Sequence, residues 1–336
     1  MTTPLSFYPS ESIARKFDQT TRERLADSLT YLADVCSEAI ELPPLELDQA
    51  LDRIRTQSIL PETLAAYYEL GNAIQNNDFD FAESLFQEIL ESKPAGEALE
   101  VIPFRSPDTD RRSKRYLNQV DTDQKNPFNI FPASQDDFDR AEQLINEALD
   151  LLETESPDLF AEIKALLKRV MLGSGPTEKG LHTFDGASAP GLWGAIVLNA
   201  IEPKDAVDMA QTLAHESCHN LLFGYCIDDR LVNNSDDERH GSPLRIDPRP
   251  LDGIYHATFV LARMHYAVAT IALSQELSPE LKQKAQQEME QRKIGFYDGL
   301  STLKKYADFT HQGKALIDAA EAYMNDAVTN LPQTSA

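Results

Sequence analysis

The chain has 336 residues, enough for two domains or for one large domain with a helical extension. Hydrophobic residues make up 42% and charged residues 26% of the sequence, a composition typical of soluble globular proteins that excludes fibrous, collagen-like and wholly disordered chains. Because 31 basic residues stand against 55 acidic residues, the net charge of −24 would repel nucleic-acid phosphates and anionic lipids. We therefore expect no nucleic-acid partner.

The first ten residues lack the basic region and apolar run of a signal peptide. The most apolar long stretch, residues 257–273, contains Arg263 and His265 and is a poor candidate for a membrane span. Three scattered cysteines predict no disulfide framework. These features indicate a cytoplasmic protein without a membrane partner.

Residues 11–90 predict helices joined by short breaks, because apolar residues such as Leu47, Leu51 and Ile54 recur at helical spacing. Between residues 92 and 134, prolines and polar residues predict a long connection, in which the basic run 111–115 is expected to be a solvated loop. We place a domain boundary in this stretch, at residue 110.

Helical patterning resumes at residues 135–153 and after Ser156-Pro157. The apolar, partly β-branched run 192–198 is the clearest strand, and a long helix follows from about residue 204 to residue 223. Beyond a loop over residues 225–252, helices fill most of the remainder, one of them beginning at Ser278-Pro279. The pattern predicts an α+β fold that is predominantly α-helical, with a small β-sheet next to the helix 204–223.

That helix carries the sequence His215-Glu216-Ser217-Cys218-His219, an H-E-x-x-H motif. Residues four apart lie on the same face of a helix, so the two imidazoles can converge on one metal ion with Glu216 beside it. A coincidental helix surface is the competing interpretation. Cys218 lies off the ligand face and is expected to be a small buried hydrophobe.

The third ligand decides the chemistry. The metzincin class is excluded, because Leu222 and Tyr225 occupy the positions where that motif requires Gly and His. Glu238 and His240 lie in a predicted loop, and we expect His240 to be exposed to solvent rather than a ligand. Two further histidines, His256 and His265, lie nine positions apart on one predicted helix and so on opposite faces, which allows only one of them to reach the site.

The run Ser242-Pro-Leu-Arg-Ile-Asp-Pro-Arg-Pro-Leu-Asp-Gly-Ile-Tyr-His256, downstream of the motif, resembles the signature of the HExxH-type peptide-modification proteins associated with ribosomally synthesised, post-translationally modified peptides. The resemblance covers residues 186–263. It implies an Fe(II)- and α-ketoglutarate-dependent oxygenase that uses O2 to hydroxylate a side-chain carbon, the β-carbon, of a residue in a ribosomal precursor peptide. It also implies a fold that is not a jelly-roll.

The resemblance implies His215, His219 and His256 as metal ligands. Binding the distal carboxylate of α-ketoglutarate needs a cation, and Arg245 and Arg249 are both candidates because a guanidinium can grip a carboxylate with two hydrogen bonds. Glu216 would tune a ligand or position substrate in such an oxygenase. Residues 111–336 would then form the catalytic metal-binding region, and the helical residues 1–110 are a candidate for recognition of the substrate or its leader.

Two other functions remain open. In a zinc metallopeptidase, Glu216 would be the general base acting on a zinc-bound water, with His240, Glu238 or His256 as third ligand. In a non-catalytic peptide-binding protein, the motif would be helix surface only. Stoichiometric binding of a keto acid would separate the oxygenase from both.

Overall fold

A computed structural model describes residues 5–121, 127, 129–176, 183–242 and 248–329. The chain forms two compact units, each assembled from separate stretches of sequence. The helical unit comprises residues 1–13, 145–163 and 205–336, and the sheet unit comprises residues 14–144 and 164–204. The division at residue 110 into a recognition region and a catalytic region is a functional one and stays a prediction.

Four helices open the chain, as the apolar periodicity of residues 11–90 predicts: α1 (Glu11–Val35), α2 (Pro44–Thr56), α3 (Pro61–Gln75) and α4 (Phe79–Leu90). Both α2 and α3 begin with proline, which suits a first turn because its N–H groups have no partner within the helix. Helix α4 is capped by Asp78, whose side chain accepts a hydrogen bond from the backbone N–H of Phe81.

In its described residues the sheet unit contains five short strands: β1 (Glu100–Pro103), β2 (Phe131–Pro132), β3 (Arg169–Ser174), β4 (Gly186–Ala187) and β5 (Ala195–Asn199). The order is β1-β3-β5-β4, with β1 and β5 parallel to β3 and with β4 antiparallel to β5, while β2 pairs antiparallel with β3. All five residues of β5 are buried, as expected for an interior strand.

The predicted strand 192–198 is confirmed, with its start moved to Ala195. Residues Pro190–Leu192 form a short 3-10 turn, and Gly194 then adopts a φ of 82°, which favours glycine. Trp193 lies in the core, 4% exposed, and its indole N–H donates to Asp18. Because of these local conformations, the strand begins three residues later than predicted.

The expectation of a solvated loop for the basic run is wrong. These residues begin helix α5 (Arg111–Val120), which is capped by Asp110. Arg115 is 4% exposed and forms ion pairs with Glu69, at 2.6 Å, and with Glu88. The charge is buried because carboxylates from α3 and α4 compensate it, a pairing that the local sequence does not reveal.

The helices that follow are α6 (Gln135–Glu155), α7 (Pro157–Leu166), α8 (Ala206–Tyr225), α9 (Leu251–Ile271), α10 (Pro279–Tyr306) and α11 (His311–Thr329). The strands β6 (Arg239–His240) and β7 (Arg249–Pro250) form a small antiparallel pair in the loop before α9. Helix α10 begins at the predicted Ser278-Pro279 pair, where the Ser278 side chain accepts a hydrogen bond from the N–H of Leu281.

The fold class is therefore confirmed: 64% of the described residues are helical, and the strands among them form small sheets rather than a jelly-roll. The main sheet belongs to the sheet unit, whereas the H-E-x-x-H helix α8 belongs to the helical unit. Within the described ranges, no helix combines the length and the apolar character that a membrane span requires.

Candidate metal centre

Helix α8 brings the two motif histidines together. Asp205 is the N-cap of this helix: its side chain accepts hydrogen bonds from the backbone N–H groups of Val207 and Asp208. One turn separates His215 from His219, and their Nε2 atoms lie 3.2 Å apart. The motif therefore presents two nitrogen donors to the same point, as its spacing predicts.

The third histidine of the expected set comes from α9. His256 is 9% exposed, and its Nδ1 lies 3.3 Å from Nδ1 of His219. The two rings are nearly parallel, with an interplanar angle of 16° and centroids 5.6 Å apart. The ring of Phe223, one turn beyond His219, packs against both imidazoles with centroids at 6.4 and 5.8 Å.

The other histidine of α9 is directed elsewhere, as its nine-residue separation from His256 predicts. His265 is 1% exposed, and its Nδ1 is hydrogen-bonded to the hydroxyl of Tyr323 on α11 at 2.9 Å. Burial, with a smaller effect of the nearby Lys293, lowers the pKa of His265 to about 4. His265 is therefore a neutral core residue.

Burial keeps two of the clustered imidazoles, those of His219 and His256, neutral. Burial, reinforced by the adjacent His256, lowers the pKa of His219 to about 3, and burial lowers the pKa of His256 to about 4. A neutral imidazole is the form that binds a metal ion. The side chain of His215 is 26% exposed, so the cluster has one side open to solvent.

Glu216 and Cys218, which lie between the two motif histidines, are both buried. Glu216 has a side chain 4% exposed, with Oε1 3.8 Å from Nε2 of His215. Cys218 is 2% exposed, and burial raises the pKa of its thiol to about 12. Cys218 is thus the small buried hydrophobe that the motif predicts, and a thiolate ligand is disfavoured there.

The alternative third ligands pair with each other. Nε2 of His240 lies 3.0 Å from Oε1 of Glu238, and the imidazole stacks on the ring of Tyr306 with centroids 4.1 Å apart. The side chain of His240 is 17% exposed, so it is less accessible to solvent than the sequence predicts. Tyr306 ends α10, 66 residues further along the chain, so local sequence gives no sign of this shielding.

Of the two candidate arginines, one can be placed. Arg249 lies half-buried in β7, directly before α9 and seven residues before His256. Arg245 and the neighbouring Asp247 lie outside the described residues. The roles of Arg245 and Arg249 in binding a keto acid stay predictions.

The distances between the histidine nitrogens agree in part with those expected for ligands of one metal ion. With metal–nitrogen bonds of about 2.1 Å, two ligands of one ion are about 3.0–3.4 Å apart, and the Nε2 pair of His215 and His219 meets this condition at 3.2 Å. His256 instead presents Nδ1 to Nδ1 of His219. Accordingly, no group of three or more His, Cys, Asp or Glu side chains in the described part of the chain is arranged to hold an ion.

Two neighbours of the centre were not identified from the sequence. Phe223 follows His219 at helical spacing, and this periodicity could have indicated its contact with the imidazole. Met264 of α9 places its Sδ 3.3 Å from Nδ1 of His215. No sequence signal links Met264 to His215, since the contact depends on how α9 packs against α8.

No protein-family model matches the chain, and a search of curated proteins finds no match.

Proposed function

We propose that the chain is an Fe(II)- and α-ketoglutarate-dependent oxygenase that hydroxylates a side-chain carbon of a residue in a ribosomal peptide in the cytoplasm. The observation that carries the metal-binding part is the pair of Nε2 atoms of His215 and His219, 3.2 Å apart, with His256 packed against His219. The choice of iron, keto acid and peptide is supported by the resemblance over residues 186–263.

The proposal assigns a role to the histidines, the arginines and Glu216. His215 and His219 would hold the ion, and Arg245 or Arg249 would bind the distal carboxylate of the keto acid with two hydrogen bonds. Iron bound there would supply oxygen activation, so that one O2 and one α-ketoglutarate give one hydroxyl group on the peptide, succinate and CO2. Glu216 is buried with Oε1 3.8 Å from Nε2 of His215; its charge would tune this ligand or it would position substrate, and it is not needed as a base.

The test is anaerobic reconstitution of the metal-free protein with Fe(II), followed by titration with α-ketoglutarate and exposure to O2 with candidate peptides. We expect stoichiometric keto-acid binding, succinate release and a mass gain of one oxygen on the peptide. His215→Ala should abolish all three, whereas His265→Gln, which alters a buried histidine outside the centre, should not.

The arginine variants locate the keto-acid site. If the proposal holds, Arg245→Gln or Arg249→Gln weakens α-ketoglutarate binding without weakening metal binding. Arg239→Gln, at the exposed residue of strand β6, is the matched control and should leave both unchanged. A protein that binds Fe(II) but no keto acid, with or without peptide, would refute the oxygenase proposal.

A zinc metallopeptidase is the second candidate, and the position of Glu216 favours it: Oε1 lies 3.8 Å from the metal-facing Nε2 of His215. In that case the zinc-loaded protein cleaves peptides, and Glu216→Gln abolishes cleavage while zinc remains bound. In the oxygenase, Glu216→Gln leaves keto-acid binding measurable. A protein that binds neither Fe(II) nor zinc would instead be a non-catalytic binding protein.

A further inference from the structure

The two motif histidines use their ring nitrogens in the same way. Each imidazole has two nitrogens, and when one binds a metal the other normally donates its N–H to a neighbouring acceptor. His215 and His219 face each other through Nε2 at 3.2 Å. Their Nδ1 atoms each meet a side chain of α9: Met264 Sδ lies 3.3 Å from that of His215, and His256 Nδ1 lies 3.3 Å from that of His219.

From this arrangement we propose that Met264 and His256 are positioning residues of the metal centre, each accepting the Nδ1–H of one motif histidine. A neutral imidazole carries a single N–H, so holding that proton at Nδ1 leaves the Nε2 lone pair for the ion. This role replaces the third-ligand role that the resemblance implies for His256. The inference rests on the proposed metal binding by His215 and His219.

Geometry separates the two roles of His256. The lone pairs of Nδ1 and Nε2 point in different directions in the plane of one imidazole, so an ion at Nε2 of His219 does not lie between His219 Nδ1 and His256 Nδ1. The near-parallel rings, 16° apart, suit an in-plane hydrogen bond between the two Nδ1 atoms. Phe223 packs against both rings and restrains His256 in this orientation.

The packing of the two helices supports a matched pair of contacts. His215 meets Met264, whereas His219, further along α8, meets His256, which comes earlier in α9. The reversed order is what antiparallel helices produce. The partners differ in strength, because a thioether is a weak acceptor and an imidazole nitrogen a good one. Replacing His256 should therefore cost more than replacing Met264.

Metal affinity tests the proposal with probes that need no catalysis. Metal-free protein would be titrated with Zn(II) in competition with a chelator. We expect Met264→Leu and His256→Leu each to weaken zinc affinity by about 10- to 100-fold, the range for partners of metal-bound histidines. His256→Asn, which keeps an acceptor oxygen near the position of Nδ1, should restore most of the loss. His215→Ala, which removes a ligand, should lower affinity far more than any of them.

A second measurement identifies the ligand atoms directly. In protein labelled with the NMR-active nitrogen isotope and loaded with the NMR-active cadmium isotope, metal coupling should appear on Nε2 of His215 and His219 and not on His256. In Met264→Leu, the Nδ1–H of His215 should exchange faster with solvent while that of His219 stays protected. If Met264 contributed only to packing, its replacement would not speed the exchange of the His215 proton alone.

Coupling of cadmium to His256, or loss of zinc affinity in His256→Asn as severe as in His215→Ala, would overturn the proposal and make His256 a ligand. Circular dichroism of each variant checks that it folds. This test is independent of the oxygenase proposal. A protein that binds metal through Nε2 of His215 and His219 but binds no keto acid would refute the oxygenase proposal and leave the positioning roles intact. A protein that binds no metal refutes both.

Discussion

The ion pair between Arg263 and Glu162 lies in the core of the helical unit and gives the sharpest stability prediction. Both residues are 1% exposed, and their charged groups are 2.7 Å apart. Oε2 of Glu162 also accepts the backbone N–H of Ser10, at 2.8 Å. Arg263 lies over the rings of Phe7 and Phe259, at 5.4 and 5.9 Å from their centroids. Glu162 is the carboxylate that pairs with this buried charge.

Replacing Glu162 with leucine leaves the guanidinium buried without its counter-ion. Breaking a buried pair in this way costs about 3–5 kcal/mol, and the lost hydrogen bond from Ser10 adds about 1 kcal/mol. We therefore expect the free energy of unfolding to fall by about 4–6 kcal/mol. The double variant Glu162→Leu with Arg263→Met removes both charges and should recover most of this loss, because no uncompensated charge remains.

Urea unfolding followed by circular dichroism measures these differences as a double-mutant cycle. Asp318→Ala, which breaks the exposed pair with Lys314, is the control and should change stability by about 1 kcal/mol or less. If Glu162→Leu is too unstable to fold, Glu162→Gln should show a smaller loss of the same sign. A loss below about 1 kcal/mol for Glu162→Leu, or a double variant as unstable as the single one, would refute the reasoning.

Three further predictions concern the helical unit. The pKa of His265 is about 4 in the folded protein and about 6.5 in the unfolded chain. Its contribution of about 3 kcal/mol to the free energy of unfolding is therefore present above pH 6.5 and is lost as the pH falls towards 4. In metal-free His265→Gln the free energy of unfolding should depend less on pH, and an unchanged pH dependence would contradict this. Gly313→Ala would place a methyl group 1.9 Å from the carbonyl oxygen of Leu231. We expect the free energy of unfolding in the same assay to fall by about 1–3 kcal/mol, and a neutral effect would contradict this close packing. Asp205→Ala removes the N-cap of α8 and should cost about 1 kcal/mol in thermal unfolding, whereas Asp205→Asn should retain most of it.

Several features of the fold follow from local sequence. The helices over residues 11–90, the strand near residue 196 and the start of α10 at Pro279 were all predictable, because helical periodicity and capping residues act over a few neighbours. The strand's exact start was not, since the turn at residues 190–192 intervenes. The helix over the basic run was not predictable, because the carboxylates that compensate Arg115 come from α3 and α4.

At the candidate centre, the sequence by itself determined that His215 and His219 share one helix face, because four residues make about one turn. It also determined that His256 and His265 point in opposite directions from α9. Only the tertiary structure decided which nitrogen of each ring faces which partner, since the positions of Met264 and His256 depend on how α9 packs against α8. The identity of a donor atom depends on side-chain rotamers and inter-helix packing, and neither is encoded in residue spacing.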